Sequence, residues 1–234
     1  MHRHRLLALR AGLQKLLGTV IAVLLLLFSV SSYAAEPLFN AAQPLRILAF
    51  GDSLTAGYGL NNPADAFPAQ LEKALKAKGH NISVIQGGIS GDTTTGGRSR
   101  LDWSLAAKPD AVILELGAND ALRGLDPKLT ADNLAFIVKR LGDEHIPVLL
   151  AGMMAPPNLG RDYSDRFNKI YPDIAKTSGV LLYPFFLDGV AAIPELNQAD
   201  HLHPTPQGVA IIVERMLPLA EKLAAQAEAA RAKR

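Results

Sequence analysis

The chain has 234 residues, no cysteine, and 24 basic against 22 acidic side chains. The absence of cysteine excludes disulfides and attachment of a lipid through a cysteine thiol, so the folded part must be stabilised by its core. The nearly balanced charge gives no basic surplus, which argues against nucleic acid as a partner.

Residues 1–34 have the layout of a secretory signal peptide. Four basic residues between positions 3 and 15 precede the apolar run Leu16–Val30, and small residues at positions 32 and 34 predict cleavage after Ala34. The alternative is a retained membrane anchor, but 15 residues fall short of the roughly 20 that span a bilayer. Removal of this leader leaves 20 basic and 22 acidic residues, a net charge of −2. We therefore expect an exported protein, periplasmic or secreted, with no stable membrane anchor.

From residue 45 onward, apolar runs alternate with helical stretches. The predicted strands are Leu45–Phe50, Ile82–Gln86, Ala111–Leu116, Val148–Ala151 and Val180–Tyr183. The predicted helices are Phe67–Lys78, Thr94–Leu105, Lys128–Glu144, Tyr163–Thr177 and a last helix from Thr205 past Leu217, with a kink or break at Pro218. This alternation predicts one α/β domain over residues 45–220, built on a five-stranded parallel sheet with helices on both faces. Residues 221–234 are expected to form the polar, solvated end of the last helix.

Glycine-rich polar turns follow the predicted strands, and the first of them carries a serine. Phe50–Gly59 follows the first strand, which places Ser53 just past the carboxyl end of that strand. Open α/β sheets bind their ligands at this edge. We interpret Ser53 as a nucleophile, which needs a base to take the proton of its hydroxyl.

The loop before the last helix supplies a candidate base. Asp200 and His203 are three residues apart, so both side chains face one way in a single turn. Asp200 would orient the His203 imidazole, whose other nitrogen would face Ser53 in a Ser–His–Asp triad. Two alternatives stay open: His201 as the base, and a metal site of Asp200, His201 and His203, since two histidines and a carboxylate can bind zinc. We expect no metal, because no further histidine lies in a strand-end loop.

Acyl transfer develops an oxyanion, which needs preorganised hydrogen-bond donors. Three candidates are the backbone amides of Ser53 and Gly91 and the side-chain amide of Asn119. The alternative for Asn119 is a turn residue that bonds its own backbone. Asp52 and Asp120 are expected to brace these turns rather than react. We expect Asp92 to cap the second helix.

Four motifs occur in the order of the sequence blocks of the SGNH (GDSL) hydrolases. They are Gly51-Asp52-Ser53-Leu54, Gly88-Ile89-Ser90-Gly91-Asp92-Thr93, Gly117-Ala118-Asn119-Asp120 and Asp200-His201-Leu202-His203. The arrangement resembles the bacterial secreted arylesterase, acyl-CoA thioesterase I and lysophospholipase L1 group over nearly all of residues 45–217. One such motif alone is a weak signal, but four in order, each at a strand end, are a strong one.

The resemblance implies a fold, an activity and a set of roles. The fold is a three-layer, flavodoxin-like SGNH hydrolase domain with strand order 2-1-3-4-5. The activity is hydrolysis of aryl and short-to-medium acyl esters, and of acyl thioesters or lysophospholipids, through an acyl-enzyme intermediate and without a cofactor. The implied roles are Ser53 as nucleophile, His203 as base, Asp200 as its orienting group, and Gly91 and Asn119 as oxyanion donors beside the Ser53 amide. We expect a monomer that acts on small-molecule substrates in lipid metabolism.

The chain departs from the pattern of this group at three places. Ala118 stands where glycine is frequent, and its methyl group could narrow the pocket. His201 stands where glycine is usual, and Gln86-Gly87 replaces a common Asn-Ala pair. None of these changes removes a chemical group that the mechanism needs.

Apolar residues in two strand-end loops predict the substrate pocket. They are Leu122, Leu125, Met153 and Met154. Methionine adapts to irregular ligands, which suits an acyl chain or an aryl ester. The alternative is that these four residues simply belong to the core.

Two further function classes stay open from the sequence. The turn Ser53–Gly57 after the first strand loosely resembles the phosphate loop of a flavodoxin, which would make the chain a flavin- or phosphate-binding protein. The second class is a non-catalytic exported binding protein, which would bind a ligand in this site without reacting with it. A yellow protein with flavin absorbance would indicate the first class, and ligand binding without covalent labelling of Ser53 would indicate the second.

Overall fold

The structure, a computed structural model, describes residues 43–233. Its centre is a parallel sheet of five strands. They are β1 (Leu45–Gly51), β2 (Ile82–Gly88), β3 (Ala111–Glu115), β4 (Val148–Ala151) and β5 (Leu181–Tyr183). The strands lie in the order β2-β1-β3-β4-β5, and every neighbouring pair is parallel. The predicted fold class and strand order are confirmed.

Helices connect the strands and cover the sheet. They are α1 (Ser53–Ala56), α2 (Phe67–Ala77), α3 (Thr94–Leu105), α4 (Ala118–Leu122), α5 (Pro127–Asp143), α6 (Arg161–Phe167), α7 (Ile170–Ser178) and α8 (Pro206–Arg231). Short 3₁₀ turns lie at Pro63–Asp65, Pro157–Leu159 and Pro194–Leu196. Among these helices α2 packs against α8, and α5 packs against α3 and α7.

The core lies between the sheet and these helices. All residues of β3 and β4 are buried, which explains why both strands are apolar except for Glu115 at the end of β3. The helix α2 buries one apolar stripe, as Leu71 and Leu75 illustrate by their spacing of four. The helices therefore stabilise the sheet by burying apolar surface against its two faces, and the carboxyl ends of the strands continue into the turns that form the site.

The predicted helix Tyr163–Thr177 is two helices in the structure, α6 and α7. Pro172 is the physical reason, because a proline cannot donate to the carbonyl four residues earlier and its ring clashes there. As the third residue of α7, Pro172 needs no such bond. The break frees the side chain of Asn168, whose Oδ1 accepts a hydrogen bond from the backbone N–H of Ala155 at 2.9 Å.

Of the expected kink or break at Pro218, the break does not occur: α8 continues through Pro218 to Arg231. Pro218 lies on the exposed side of α8, while Met216 and Ala220 on either side of it are fully buried. The end of α8 also differs from the expected solvated tail. Leu223, Ala224 and Ala227 are fully buried there, so apolar packing holds the helix nearly to its last turn.

The predicted leader, residues 1–34, lies outside the described residues. Within residues 43–233, no helix has both the length and the apolar character that crossing a membrane would require.

Candidate active site

The turns that follow the strands meet at one edge of the sheet and surround a cavity of about 620 Å³. Residues from four separate turns line it: Ser53 after β1, Gly91 after β2, Asn119 after β3 and Met153 after β4. His203, from the loop between β5 and α8, lines it as well. The parallel topology thus brings together residues that are far apart in the sequence.

Ser53, His203 and Asp200 form a continuous line of hydrogen bonds at this cavity. The Ser53 Oγ lies 2.9 Å from His203 Nε2, and His203 Nδ1 lies 2.6 Å from Asp200 Oδ2. This is the spacing that a nucleophile, its base and the orienting carboxylate require. His201, the alternative base, lies on the cavity wall, but it is His203 that contacts Ser53.

Asp200 is itself held by the backbone of its own loop. Its Oδ1 accepts hydrogen bonds from the N–H groups of Leu202 and His203, each at 3.0 Å. The Leu202 N–H and then the His203 side chain lower the pKa of Asp200 to about 2. The carboxylate is therefore charged at any working pH and can stabilise an imidazolium on His203.

The turn that carries Ser53 is shaped by a close approach between β1 and β3. A Cβ atom on Gly51 would lie 2.1 Å from Thr55 Oγ1 and 2.6 Å from the Glu115 backbone oxygen. Only glycine fits there. Asp52 then caps α1, because its Oδ1 accepts from the N–H of Leu54 at 3.0 Å.

The three predicted oxyanion donors lie on the same cavity wall. Gly91 has φ 83°, a left-handed conformation that favours glycine even though a Cβ atom would find space there. Its carbonyl accepts a hydrogen bond from Arg123 Nη2 at 2.8 Å. The Asn119 Nδ2 donates to Asp52 Oδ2 at 3.1 Å, so Asn119 does not bond only its own turn.

The β2 turn is tied to β1 by Arg100 of α3. Its guanidinium donates to Asp92 Oδ2 at 2.6 Å, to the Gly87 carbonyl at 2.9 Å and to the Gly51 carbonyl at 2.8 Å, and it lies 4.0 Å above the Phe50 ring. The prediction that Asp92 caps the helix Thr94–Leu105, which is α3, was wrong.

Thr93 caps α3 instead, because its hydroxyl accepts from the N–H of Gly96 at 3.4 Å. The Asp92 carboxylate accepts instead from the Arg100 guanidinium. Asp120 braces the β3 turn as predicted. It is fully buried and accepts from the N–H of Thr94 at 2.8 Å and from the Thr130 hydroxyl at 3.1 Å.

A second buried carboxyl, which sequence reasoning missed, lies directly beneath the Ser53 turn. Glu115 at the end of β3 is fully buried, and its Oε2 accepts from the Thr55 hydroxyl at 2.8 Å and from the Asp52 N–H at 3.3 Å. Within the described chain its Oε1 is buried without a hydrogen-bond partner, which a neutral carboxyl tolerates far better than a carboxylate. Burial, and then the charge of Asp52, raises the pKa of Glu115 well above its usual range.

Replacement of Glu115 by Gln is expected to stabilise the protein progressively as the pH rises. The unfolded chain releases the Glu115 proton near the ordinary pKa of 4.5, whereas the folded protein keeps it. Between pH 4.5 and the raised pKa of the folded state, wild-type folding therefore takes up a proton, and on this account its stability falls by up to about 1.4 kcal/mol per pH unit. Glutamine has no proton to lose, so the difference in free energy of unfolding between Glu115→Gln and wild type should grow with that slope. Urea unfolding at several pH values above 4.5 measures it, and a difference that does not vary with pH would contradict a neutral Glu115.

The structure distributes the four predicted pocket residues unequally. Met153 is a buried part of the wall, and Leu122 and Met154 are exposed at its rim. Leu125 is not among the lining residues, so the prediction was wrong for this position. It is half-buried, and its carbonyl accepts from the Tyr163 hydroxyl at 2.8 Å, which holds it in the connection to α5.

Sequence reasoning also missed part of the wall. Tyr58 lines the cavity, and its ring centroid lies 4.7 Å from that of His203. Phe185 and Leu187, from the loop after β5, add apolar surface. The signal was the run Phe185-Phe186-Leu187 in a loop that otherwise has no periodicity.

The three departures from the sequence pattern have visible consequences. Ala118 lines the cavity, so its methyl group takes up space there. His201 has φ 59°, the left-handed conformation for which glycine is suited. Gln86 donates to the carbonyls of Thr55 and Ala56 at 3.2 and 3.3 Å, and so bonds the end of α1.

The flavin or phosphate alternative is not favoured by this arrangement. The turn after β1 is a helix of four residues, and the carboxyl of Asp52 occupies its N-terminal end. A negative carboxylate there would repel the phosphate that this alternative requires. Among residues 43–233, no three His, Cys, Asp or Glu side chains are grouped so that they could hold a metal ion.

The fold and the site together define a class of protein. A flavodoxin-like parallel sheet whose carboxyl edge aligns a serine, a histidine and an aspartate, with amide donors beside the serine, is typical of the serine hydrolases of SGNH type.

Comparison with known proteins gives the particular family. Residues 49–211 match the GDSL-like Lipase/Acylhydrolase family, and the chain belongs to it. An arylesterase of Vibrio mimicus is 41% identical over 194 residues, which cover 82% of this chain and 92% of the relative. The thioesterase 1/protease 1/lysophospholipase L1 of Escherichia coli K12 is 38% identical over 179 residues, covering 76% and 84%. The crystal structure of AlinE4, an SGNH-hydrolase family esterase, superposes with a TM-score of 0.65 at 47% identity, covering 76% of this chain and 96% of AlinE4. The chain is therefore an enzyme that hydrolyses esters.

Proposed function

We propose that the chain cleaves carboxylic esters through an acyl-enzyme formed on Ser53. The single observation that carries this is the hydrogen-bonded line from Ser53 Oγ to His203 Nε2 and from His203 Nδ1 to Asp200, at the wall of the cavity. As the Ser53 oxygen attacks the ester carbonyl, His203 takes its proton and then delivers that proton to the leaving alcohol. A water molecule, deprotonated by His203, next attacks the acyl-enzyme and releases the acid and free Ser53.

The negative charge on the carbonyl oxygen develops between the three donors. The backbone N–H groups of Ser53 and Gly91 and the side-chain N–H of Asn119 would stabilise it. Donors that are held in place by the fold need no reorganisation during the reaction, which is why they lower the barrier. The bonds from Arg123 to Gly91 and from Asn119 to Asp52 supply this rigidity.

We propose aryl esters and short-to-medium acyl esters as the main substrates, with acyl thioesters and lysophospholipids as further ones. The cavity volume of about 620 Å³ lies in the usual range for small-molecule sites. Its wall includes Met153, Phe185 and Leu187, which suit an acyl chain or an aromatic ring. The names of the arylesterase and of the thioesterase/lysophospholipase relatives agree with this choice.

A substrate panel tests this proposal. The purified mature protein should hydrolyse p-nitrophenyl esters of two to eight carbons, and acyl-CoA and lysophosphatidylcholine of matched chain length at measurable rates. Pre-steady-state release of p-nitrophenol should show a burst of up to one equivalent per chain if deacylation is the slower step. If none of the three substrate classes is hydrolysed, the proposal is wrong. If only the aryl esters are hydrolysed, the proposal is restricted to arylesterase activity.

We further propose that the protein is exported after cleavage behind Ala34. The supporting observation is the basic, apolar and small-residue order of the first 34 residues. N-terminal sequencing of the protein recovered from the periplasm or medium should begin at Ala35. A recovered chain that keeps residues 1–34 would contradict cleavage.

A further inference from the structure

The residue immediately before the candidate nucleophile contacts the candidate oxyanion donor. Asp52 is fully buried, and its two carboxylate oxygens serve two different turns: Oδ1 accepts from the Leu54 N–H and Oδ2 accepts from Asn119 Nδ2. We propose that Asp52 is a positioning residue, which fixes the Asn119 side-chain amide so that its nitrogen, and not its oxygen, faces the developing oxyanion. This inference rests on the proposed role of Asn119 in ester hydrolysis.

An asparagine amide needs such a partner, because its two ends have nearly the same shape and opposite hydrogen-bonding character. Rotation by 180° about the Cβ–Cγ bond would place the Asn119 oxygen where the nitrogen now lies, and would repel the oxyanion. A carboxylate can only accept hydrogen bonds, so Asp52 Oδ2 selects the orientation with the nitrogen towards it. One N–H of Asn119 then binds Asp52, and the second is left for the substrate.

Asp52 is itself held on every side, so it can transmit this orientation. Its backbone N–H donates to Glu115 Oε2 at 3.3 Å, and its Oδ1 is engaged with Leu54 at 3.0 Å. Ser53 is the next residue in the chain. One carboxylate therefore fixes the nucleophile's turn and the Asn119 donor relative to each other, and the donors of an oxyanion hole need this precision.

Asp52 can accept both hydrogen bonds only as a carboxylate, which is its state above about pH 6. Burial raises the pKa of Asp52 to about 6. The hydrogen bonds from Leu54 and Asn119 and the charge of His203 limit this rise. Above that pH it is a carboxylate, while its deeper neighbour Glu115 stays neutral. The ionisable groups that face this pair are Asp92 and Arg100 beside the β2 turn, His203 on the cavity side and Tyr171 beneath the sheet edge.

A double-mutant cycle tests the inference. In Asp52→Asn the new amide keeps the size of the carboxyl, but one of its two ends becomes a donor. It can no longer accept from both Leu54 and Asn119. We expect Asn119→Ala to lower kcat by about 10²–10³, and Asp52→Asn to lower kcat by at least about tenfold with KM nearly unchanged. If Asp52 acts through Asn119, the double variant should be within about threefold of Asn119→Ala alone.

Asp110→Asn is the matched control. Asp110 is also a buried aspartate that accepts a backbone N–H, that of Arg46 at 2.9 Å, but it lies at the opposite edge of the sheet. The kcat of the Asp110→Asn variant should equal that of wild type. If Asp52→Asn has the wild-type kcat while Asn119→Ala is slow, the inference about Asp52 is wrong but the proposed oxyanion role of Asn119 stands. A double variant whose loss is the product of the two single losses would also overturn it, whereas Asn119→Ala at the wild-type rate would overturn the proposed oxyanion role itself.

A measurement on the wild-type protein remains decisive if Asp52→Asn does not fold. The side-chain NH₂ signals of Asn119 can be assigned in a ¹⁵N correlation spectrum by their loss in Asn119→Ala. One of the two protons should be shifted downfield and protected from exchange by the bond to Asp52. Two protons that exchange and shift like those of a free asparagine would contradict the inference.

Discussion

Replacement of Ser53 by Ala is expected to lower kcat for p-nitrophenyl butyrate by roughly 10⁶-fold, the size found when the serine of a triad is removed. The alanine variant keeps the cavity and the donors, so substrate binding should persist while the acyl-enzyme cannot form. The burst of p-nitrophenol should vanish together with steady-state turnover. Initial rates at enzyme concentrations high enough to detect residual hydrolysis provide the measurement.

Ser99→Ala is a suitable control for this experiment. Ser99 is an exposed serine of α3 whose hydroxyl bonds only the Thr95 carbonyl of its own helix, at 2.9 Å. Its removal should leave the rate unchanged. If Ser53→Ala kept activity within a hundredfold of wild type, a different group would have to attack the ester, and the assignment of Ser53 would be wrong.

Replacement of Asp200 by Asn is expected to lower kcat by about 10⁴-fold, as in other triads in which the carboxylate becomes an amide. The 2.6 Å contact to His203 Nδ1 requires an acceptor on residue 200, which fixes the proton on Nδ1 and leaves Nε2 free to take the proton of Ser53. An asparagine nitrogen in that place favours the wrong tautomer. It also removes the charge that stabilises the imidazolium.

The activity of wild type at acidic pH gives a second readout for Asp200. Because backbone and His203 donors lower its pKa to about 2, the loss of wild-type activity between pH 7 and pH 4 should come from other groups.

Asp188→Asn is the control for the Asp200→Asn experiment, since Asp188 lies in the same long loop but pairs with Arg215 at 2.6 Å on the surface. A kcat for Asp200→Asn within tenfold of wild type would show that Asp200 does not orient the base.

The sheet and the contact between Ser53 and His203 could be predicted from the sequence for one physical reason. Strands that are covered on both faces are mostly apolar, as in β4 and in β3 up to Leu114, and such runs are visible in a single sequence. Parallel strands then place their following turns at one edge, whatever their separation along the chain. Ser53 and His203 are 150 residues apart and could nevertheless be paired.

The layer beneath the site was not accessible in the same way. Glu115 lies inside the predicted strand Ala111–Leu116, and the strand pattern gives no role to a single acidic residue within it. Only the packing of β1 against β3 shows that it is enclosed and shares its surroundings with Asp52. The role of Arg100 is hidden for the same reason, since it joins carbonyls of two different strand ends.

The cavity wall and the helix ends depend on contacts that are only partly visible in the sequence. Phe185 and Leu187 lie in a loop without periodicity, so their apolar run is visible in the sequence but its place in the cavity wall is not. The helix break, in contrast, carried a signal in Pro172. At Pro218 the same residue type did not end the helix, because apolar burial on both sides of it outweighs one lost hydrogen bond.

Covalent trapping tests the central claim most directly, namely that the Ser53 hydroxyl is the group that attacks the acyl carbonyl. The purified enzyme is treated with a fluorophosphonate, and the product is analysed by intact mass and by peptide mapping. The account predicts one adduct per chain, located on Ser53, with loss of esterase activity in proportion to labelling. An adduct on any other residue, or complete inactivation with Ser53 unmodified, would contradict it.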